Sequence, residues 1–170
     1  MDTMSSMVLR MTTAEQSPTP GFLVYRLATK WQAAVDRAVS PFGITHAQYS
    51  VLASLRGMTR GGRRPSQREV ADHLGLDPVF VSKLVRTLEQ NGLVERNDHP
   101  SDARAFALGL TDAGIRTIDP AIKVVLALQD ELTAPLGGLS SKATAQFVGT
   151  VQKLLAATIP DHHTPEGRQP

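Results

Sequence analysis

A chain of 170 residues, 41% apolar and only 5% aromatic, can bury one mainly aliphatic core, with room for an oligomerisation extension. It has no cysteine, which excludes disulfides, thiolate metal sites and thiol redox sensing. No run of about 18 apolar residues occurs, and no basic segment leads into an apolar one at the start, so neither a membrane span nor a signal peptide is expected and the cytoplasm is the expected compartment. The formal net charge is only +2, and its placement says more than its size. Residues 56–104 hold nine Lys/Arg against seven Asp/Glu, while the remainder balances nine against nine. Within that window Arg56, Arg60, Arg63, Arg64 and Arg68 follow one another with no acid between them. A solvated loop and a phosphate-contacting loop both fit that run.

Residues 1–20 are mostly polar, show no clear period and end in Ser17-Pro18-Thr19-Pro20, which predicts a flexible arm. From Gly21 to about residue 40 a helical stripe follows, made of Leu23, Leu27, Trp31, Ala34, Val35 and Ala38. Pro41 and Gly43 break it, and Thr45 caps a second helix carrying Val51, Leu52 and Leu55. A connection rich in glycine and arginine, residues 57–65, leads to Ser66. With Glu69 three positions on, Ser66 reads as a capping box for a short helix to about Leu74.

The next stretch is the most specific. Ala71, Gly75, Val81 and Leu84 have the spacing of a helix–turn–helix: a small residue where two helices cross, a glycine free to take positive φ at the turn, and two apolar residues on one face of the second helix. Asp77 followed by Pro78 sets an N-cap and a first-turn proline, so the second helix is predicted from Pro78 to about Gln90, with Asn91-Gly92 ending it. Residues 93–96 and 105–108 then read as short strands around a loop rich in turn formers, which makes a wing.

Thr111 caps a long helix with Ile115, Ile118, Ile122, Val125, Leu126 and Leu132 at roughly helical spacing; Pro120 inside it predicts a kink or a break. Residues 135–138 end that segment. Ser140 is the expected cap of a last helix with Phe147, Val151, Leu154, Leu155 and Thr158 along one side, and residues 159–170 form a polar tail expected to be disordered. The fold class is therefore mainly α with a small β-wing. A winged helix–turn–helix core (about residues 45–111) would be flanked by N- and C-terminal helices (about 21–40 and 111–158), all within one domain spanning 21–158. The terminal helices carry apolar stripes that need a cover: mutual packing within one chain is the plain alternative, and pairing with a second copy, which would present two reading helices one DNA turn apart, is the expectation.

This order of elements, with its local motifs, resembles the MarR family of winged-helix regulators. Residues 43–52 are similar to the family's entry to the second helix and residues 81–94 to its recognition helix and exit turn. Asp102-Ala103-Arg104 resembles its wing signature, and residues 110–114 resemble its wing-to-helix junction. The resemblance implies a homodimeric repressor that binds a pseudo-palindromic operator in double-stranded DNA and is released by a small aromatic or phenolic ligand.

Val81, Leu84, Val85 and Leu88 are expected to form the buried face of the second helix, which turns Val79, Ser82, Lys83 and Arg86 outward. Lys83 and Arg86 can bond guanine acceptors or phosphates, Ser82 a base edge or phosphate, and Pro78 and Val79 thymine methyls. Phe80 fits either side of the helix, with packing the favoured expectation. Ser66, Gln67 and Arg68 begin the preceding helix, whose free N–H groups favour a phosphate. In the wing, the resemblance implies that Arg104 enters the minor groove with Asp102 bracing it; an ordinary surface ion pair is the plain alternative.

The effector would lie where the dimer helices meet the winged core, near Trp31, His46 and Tyr49, unless these are simply packed boundary residues. No cofactor and no metal site are expected: His46, His73 and His99 are far apart in sequence, and His162-His163 falls in the polar tail. No glycine-rich phosphate loop or nucleophile elbow is present, and the wing already explains Asp98, His99 and Asp102, so an enzyme is not expected. A metal-responsive regulator and a winged-helix module that binds protein stay open as alternatives, the second opposed by the basic Lys83 and Arg86.

Overall fold

The computed structural model describes residues 18–99 and 102–158, with the backbone alone at 99 and 102–105. The expected arm before residue 18, the tail after 158 and the His162-His163 pair lie outside the described residues. The elements in order are α1 (Pro20–Val39), α2 (His46–Met58), α3 (Gln67–Leu74), α4 (Pro78–Gln90), β1 (Val94–His99), β2 (Asp102–Leu110), α5 (Asp112–Thr133) and α6 (Lys142–Ala156), with single 3-10 turns after α1, α2 and α5.

Caps fix most of the boundaries. Thr45 and Gln48 form a reciprocal capping box at the start of α2, the amide of Gln48 donating to Thr45 Oγ1 and that of Thr45 to Gln48 Oε1. Ser66 and Glu69 do the same for α3. Gly75 ends α3 at φ 63°, a left-handed conformation that glycine takes without the steric penalty a β-carbon brings. Asp77 then accepts from the amides of both Val79 and Phe80, and Pro78 occupies the first turn of α4.

The core lies around α2. Its fully buried Val51, Leu52 and Leu55 share one cluster with Val70 and Ala71 of α3 and Val81, Val85 and Leu88 of α4. Val94 and Leu108 of the hairpin and Ile118, Ala121 and Val125 of α5 complete it. Each fully buried leucine in such a cluster stabilises by about 1.5–3 kcal/mol relative to exposure. Ala71 is fully buried where α3 meets α4, the close crossing that its small side chain permits. α1 joins through Val35 and Val39 and packs along α5 and α2.

The hairpin is antiparallel, Val94 opposite Leu110 and Asp98 opposite Phe106, with a register shift just before His99. Its root is tied to the helix–turn–helix: the amide of Leu108 donates to the carbonyl of Pro65 at 2.8 Å, and Ser66 bridges Ala107.

Several expectations need correction. The strands run well past residues 93–96 and 105–108, because ladder pairing carries the turn formers Asn97 and Asp98 into regular structure. α5 is unbroken through Pro120. Pro120 is exposed, so water can reach the carbonyl it leaves without a donor, while buried Ile118, Ala121 and Val125 hold the helix on either side. The cap of α6 is Ser141, one residue later than expected: its hydroxyl accepts from the Thr144 amide and donates to the Leu136 carbonyl. Leu126 is 48% exposed and so off the buried stripe. In α1, Leu23 and Leu27 are also exposed and burial begins only at Ala34.

Candidate nucleic-acid interface

The helix–turn–helix and the hairpin form one unit, and α4 is its exposed reading element. Val81, Val85 and Leu88 are fully buried, whereas Leu84 is only half-buried at the edge of the core, short of the full burial expected for it. Pro78, Val79, Lys83 and Arg86 are exposed and Ser82 half-buried. Phe80, expected to pack, is 45% exposed beside Val79 at 63%. The Asp77 cap sets the helix start so that Val81 and Val85 face inward, and Phe80 is left on the outside. The start of α4 therefore offers two adjacent apolar side chains flanked by Lys83 and Arg86. That suits duplex edges, where thymine methyls and guanine acceptors sit side by side.

Two features limit what backbone amides can do here. At the start of α4, Asp77 already occupies the Val79 and Phe80 amides, at 2.9 and 3.0 Å. A phosphate would meet a carboxylate there, so contacts from α4 fall to side chains. At the start of α3 the Ser66 hydroxyl is used as a cap, but helix geometry leaves the Gln67 and Arg68 amides without partners inside the helix. Arg68 lies 3.9 Å from Asp72, both exposed, which leaves its charge available to solvent and ligand.

The arginine run does not act as one patch. Arg56 turns away from it and makes a two-point contact with Asp119 of α5, Nε to Oδ1 at 2.7 Å and Nη2 to Oδ2 at 3.0 Å. The shared hydrogen bond, first, and then the mutual charge hold the Asp119 carboxyl below the usual carboxylate range and the guanidinium above its own. Arg63 approaches Glu69 at 3.6 Å. Arg60 and Arg64 are exposed and make no ion pair among the described residues.

The hairpin is joined to α4 by Arg96, whose Nε lies 3.1 Å from Glu89 Oε2 and whose guanidinium sits 5.9 Å from the centre of the Phe106 ring. Asp102 and Arg104 stand in β2, near the hairpin's far end, where only their backbone is described. Sequence reasoning missed the Arg56–Asp119 and Arg96–Glu89 pairs, because no local signal links residues 63 apart or fixes the angle of a hairpin against a helix. It also missed the Thr45–Gln48 box, which the spacing of Thr and Gln could have revealed.

Trp31, His46 and Tyr49, the expected effector residues, do not converge on one cavity. Trp31 lines an apolar groove of about 480 Å³ with Val24, Leu27, Phe147, Val151 and Leu155; His46 and Tyr49 do not line that groove. Both are half-buried, and burial pushes the Tyr49 hydroxyl pKa up. Among the described residues no three His, Asp or Glu gather as a metal centre, and no helix is long and apolar enough to cross a membrane.

A reading helix with a basic and apolar outer face, a second helix crossing behind it and a two-stranded wing beside it define a winged helix–turn–helix DNA-binding protein. Residues 42–105 match the MarR family. The chain is 31% identical over 136 residues to the uncharacterized HTH-type transcriptional regulator YdcH of Bacillus subtilis, covering 80% of this chain and 89% of that one. Escherichia coli MarR, as a mutant in complex with operator DNA, superposes with a TM-score of 0.70 at 26% identity, covering 79% of this chain and 92% of that one. CouR of Rhodococcus jostii RHA1, bound to p-coumaroyl-CoA, does so with a TM-score of 0.71 at 28% identity, covering 86% and 100%. The chain belongs to the MarR family: it is a DNA-binding transcriptional regulator, and that family is not one of enzymes.

Proposed function

We propose that this regulator is a homodimeric repressor that reads a pseudo-palindromic operator and lets go of it when a small aromatic ligand binds. The observation that carries the dimer is the uncovered apolar face shared by α1 and α6. Val24 and Leu27 on one helix and Val148, Leu154 and Leu155 on the other line one groove and are all exposed, Leu155 by 80%. A contiguous apolar surface of this kind needs a cover, and a second copy of the same two helices provides it.

In this reading Val79, Ser82, Lys83 and Arg86 enter the major groove with Pro78 at the edge. Ser66, Gln67 and Arg68 hold a phosphate, and Arg104 enters the minor groove braced by Asp102. Residues 21–158 act as one domain, with the winged core on DNA and the terminal helices pairing. The ligand sits between the paired helices and the core near Trp31, His46 and Tyr49, and favours one spacing of the two reading helices. An arylacyl thioester in the structurally similar CouR supports an aromatic effector.

The test is selection of bound duplexes from a random library, followed by footprinting. Two protected half-sites about 10 bp apart, centre to centre, are expected. A single unrepeated site bound by one copy would overturn the dimeric reading. Adding a series of arylcarboxylates and their thioesters to the labelled complex tests release; retention of DNA throughout would overturn the aromatic-effector reading.

A further inference from the structure

We infer that Arg96 is the positioning residue that fixes the wing against the reading helix, with Glu89 as its counter-charge; this rests on the reading that the wing enters the minor groove. Arg96 is in β1 opposite Leu108, and Leu108 is fully buried, so Arg96 occupies the core-facing side of the hairpin, where an apolar residue is the ordinary choice. Its side chain is only 20% exposed. Nε and Nη2 are both buried and make no hydrogen bond of good geometry among the described residues, so Nε is held to Glu89 by charge.

A methionine of similar reach would fill the same space without desolvating a guanidinium. A partly buried ion pair is a poor device for stability. It is a good device for direction. The pair joins the last turn of α4, one turn beyond Arg86, to the middle of the strand that leads to the wing tip. Phe106, across the hairpin from Asp98 and 54% exposed, lies against the same guanidinium and limits its swing. Among the described residues this is the only ion pair between hairpin and α4. The hairpin's other ties, the Leu108 amide to Pro65, the Ser66–Ala107 bridge and the burial of Val94 and Leu108 in the core, lie at its root.

A protein that touches each half-site at two places gains from holding them at a set angle, since otherwise binding must order the wing. Nε and Nη2 are buried, so those two nitrogens do not face a phosphate.

The experiment uses the full chain and a duplex selected with the wild-type protein. The variants are Arg96→Met, Glu89→Gln and the reversed pair Glu89→Arg with Arg96→Glu. The footprints are hydroxyl-radical cleavage for the minor groove and methylation protection for the major groove. Arg96→Met and Glu89→Gln are each expected to keep the wild-type melting temperature and the central major-groove protection. Both should lose the flanking minor-groove protection and bind roughly tenfold more weakly; the reversed pair should restore the flanks. Loss with Arg96→Met but not with Glu89→Gln would mean that Arg96 touches DNA, and would overturn the inference, as would full protection in both. If a single variant unfolds, the reversed pair decides: restored flanks uphold the bracket and bare flanks overturn it. Wild-type protein with no flank protection would instead overturn the minor-groove reading itself and the inference with it.

Discussion

The carbonyl oxygen of Leu93 occupies the space where a β-carbon on Gly114 would be, far inside van der Waals contact. That approach bolts the exit of the reading helix to the first turn of α5. The same joint carries two more bonds: the amide of Thr111 donates to Leu93 at 3.2 Å and its hydroxyl to the Gly92 carbonyl at 2.6 Å. Gly114 in turn donates its amide to Thr111 Oγ1 at 3.0 Å. These contacts join the exit of α4 to the first turn of α5 through backbone atoms.

Substituting Gly114→Ala should force this joint apart. The clashing atom is backbone, not the end of a mobile side chain, so the strain cannot relax locally. A loss of about 1–3 kcal/mol is expected, read by urea denaturation. Thr111→Val removes the N-cap and the bond to Gly92 but keeps the shape, and should lose about 1–2 kcal/mol. Wild-type stability in Gly114→Ala would show that the two segments are free to separate.

The Arg56–Asp119 pair predicts a dependence on pH. Asp119 is held below the ordinary carboxylate range by its hydrogen bond from Arg56, so the folded state favours the charged form. The contribution is present above the unfolded carboxylate pKa of about 3.9, and is lost as pH falls through the lower folded value. Asp119→Asn should melt roughly 1–3 °C below wild type at pH 7. That gap should close as pH falls through the lowered folded pKa of Asp119. A gap unchanged down to acid unfolding would mean that the pair adds nothing.

Local signals were legible because they act within a few residues. Asp77 and Pro78 start α4, Gly75 ends α3, and Ser66 with Glu69 caps α3, each through atoms no more than five positions apart. What the sequence hid was set by distance or competition. Arg56 read as part of a basic run because its partner lies 63 positions away. Pro120 read as a kink or a break because its local penalty is visible; that the helix continues through it follows from the burial of Ile118 and Ala121, which the sequence does not show. Phe80 read as packed because it is large and aromatic, yet the Asp77 cap sets the helix phase that leaves it outside. Of the interface, exposed Val79, Lys83 and Arg86 could be read from periodicity while Phe80 could not; the Arg96 tie required the hairpin's angle.

Lys83 and Arg86 are exposed on the reading face and are predicted to act differently. If Lys83 meets a phosphate, Lys83→Ala should weaken all duplexes alike and reduce the slope of log affinity against log salt by about 0.9. Arg86→Ala, if Arg86 forks onto a guanine, should weaken the selected duplex by about 1–3 kcal/mol and relax preference at one base pair. Fluorescence anisotropy over a salt series, on selected and scrambled duplexes, separates the two. An unchanged slope for Lys83→Ala removes it from the phosphate contacts.

Leu155 gives the sharpest test of pairing, because at 80% exposure it contributes little to the single chain. Leu155→Glu should therefore leave the folded protomer intact by circular dichroism. In a dimer the same substitution would bury a carboxylate among Val24, Leu27, Trp31 and Val151, the residues that share its groove. Burying that charge unpaired costs several kcal/mol, so dissociation is the cheaper outcome. Sedimentation equilibrium should show a dimer for wild type and a monomer for the variant at micromolar concentration, and the variant should lose cooperative binding to a two-half-site duplex. A variant that stays dimeric would move the interface away from α1 and α6, and the exposed stripe on those helices would then need another cover.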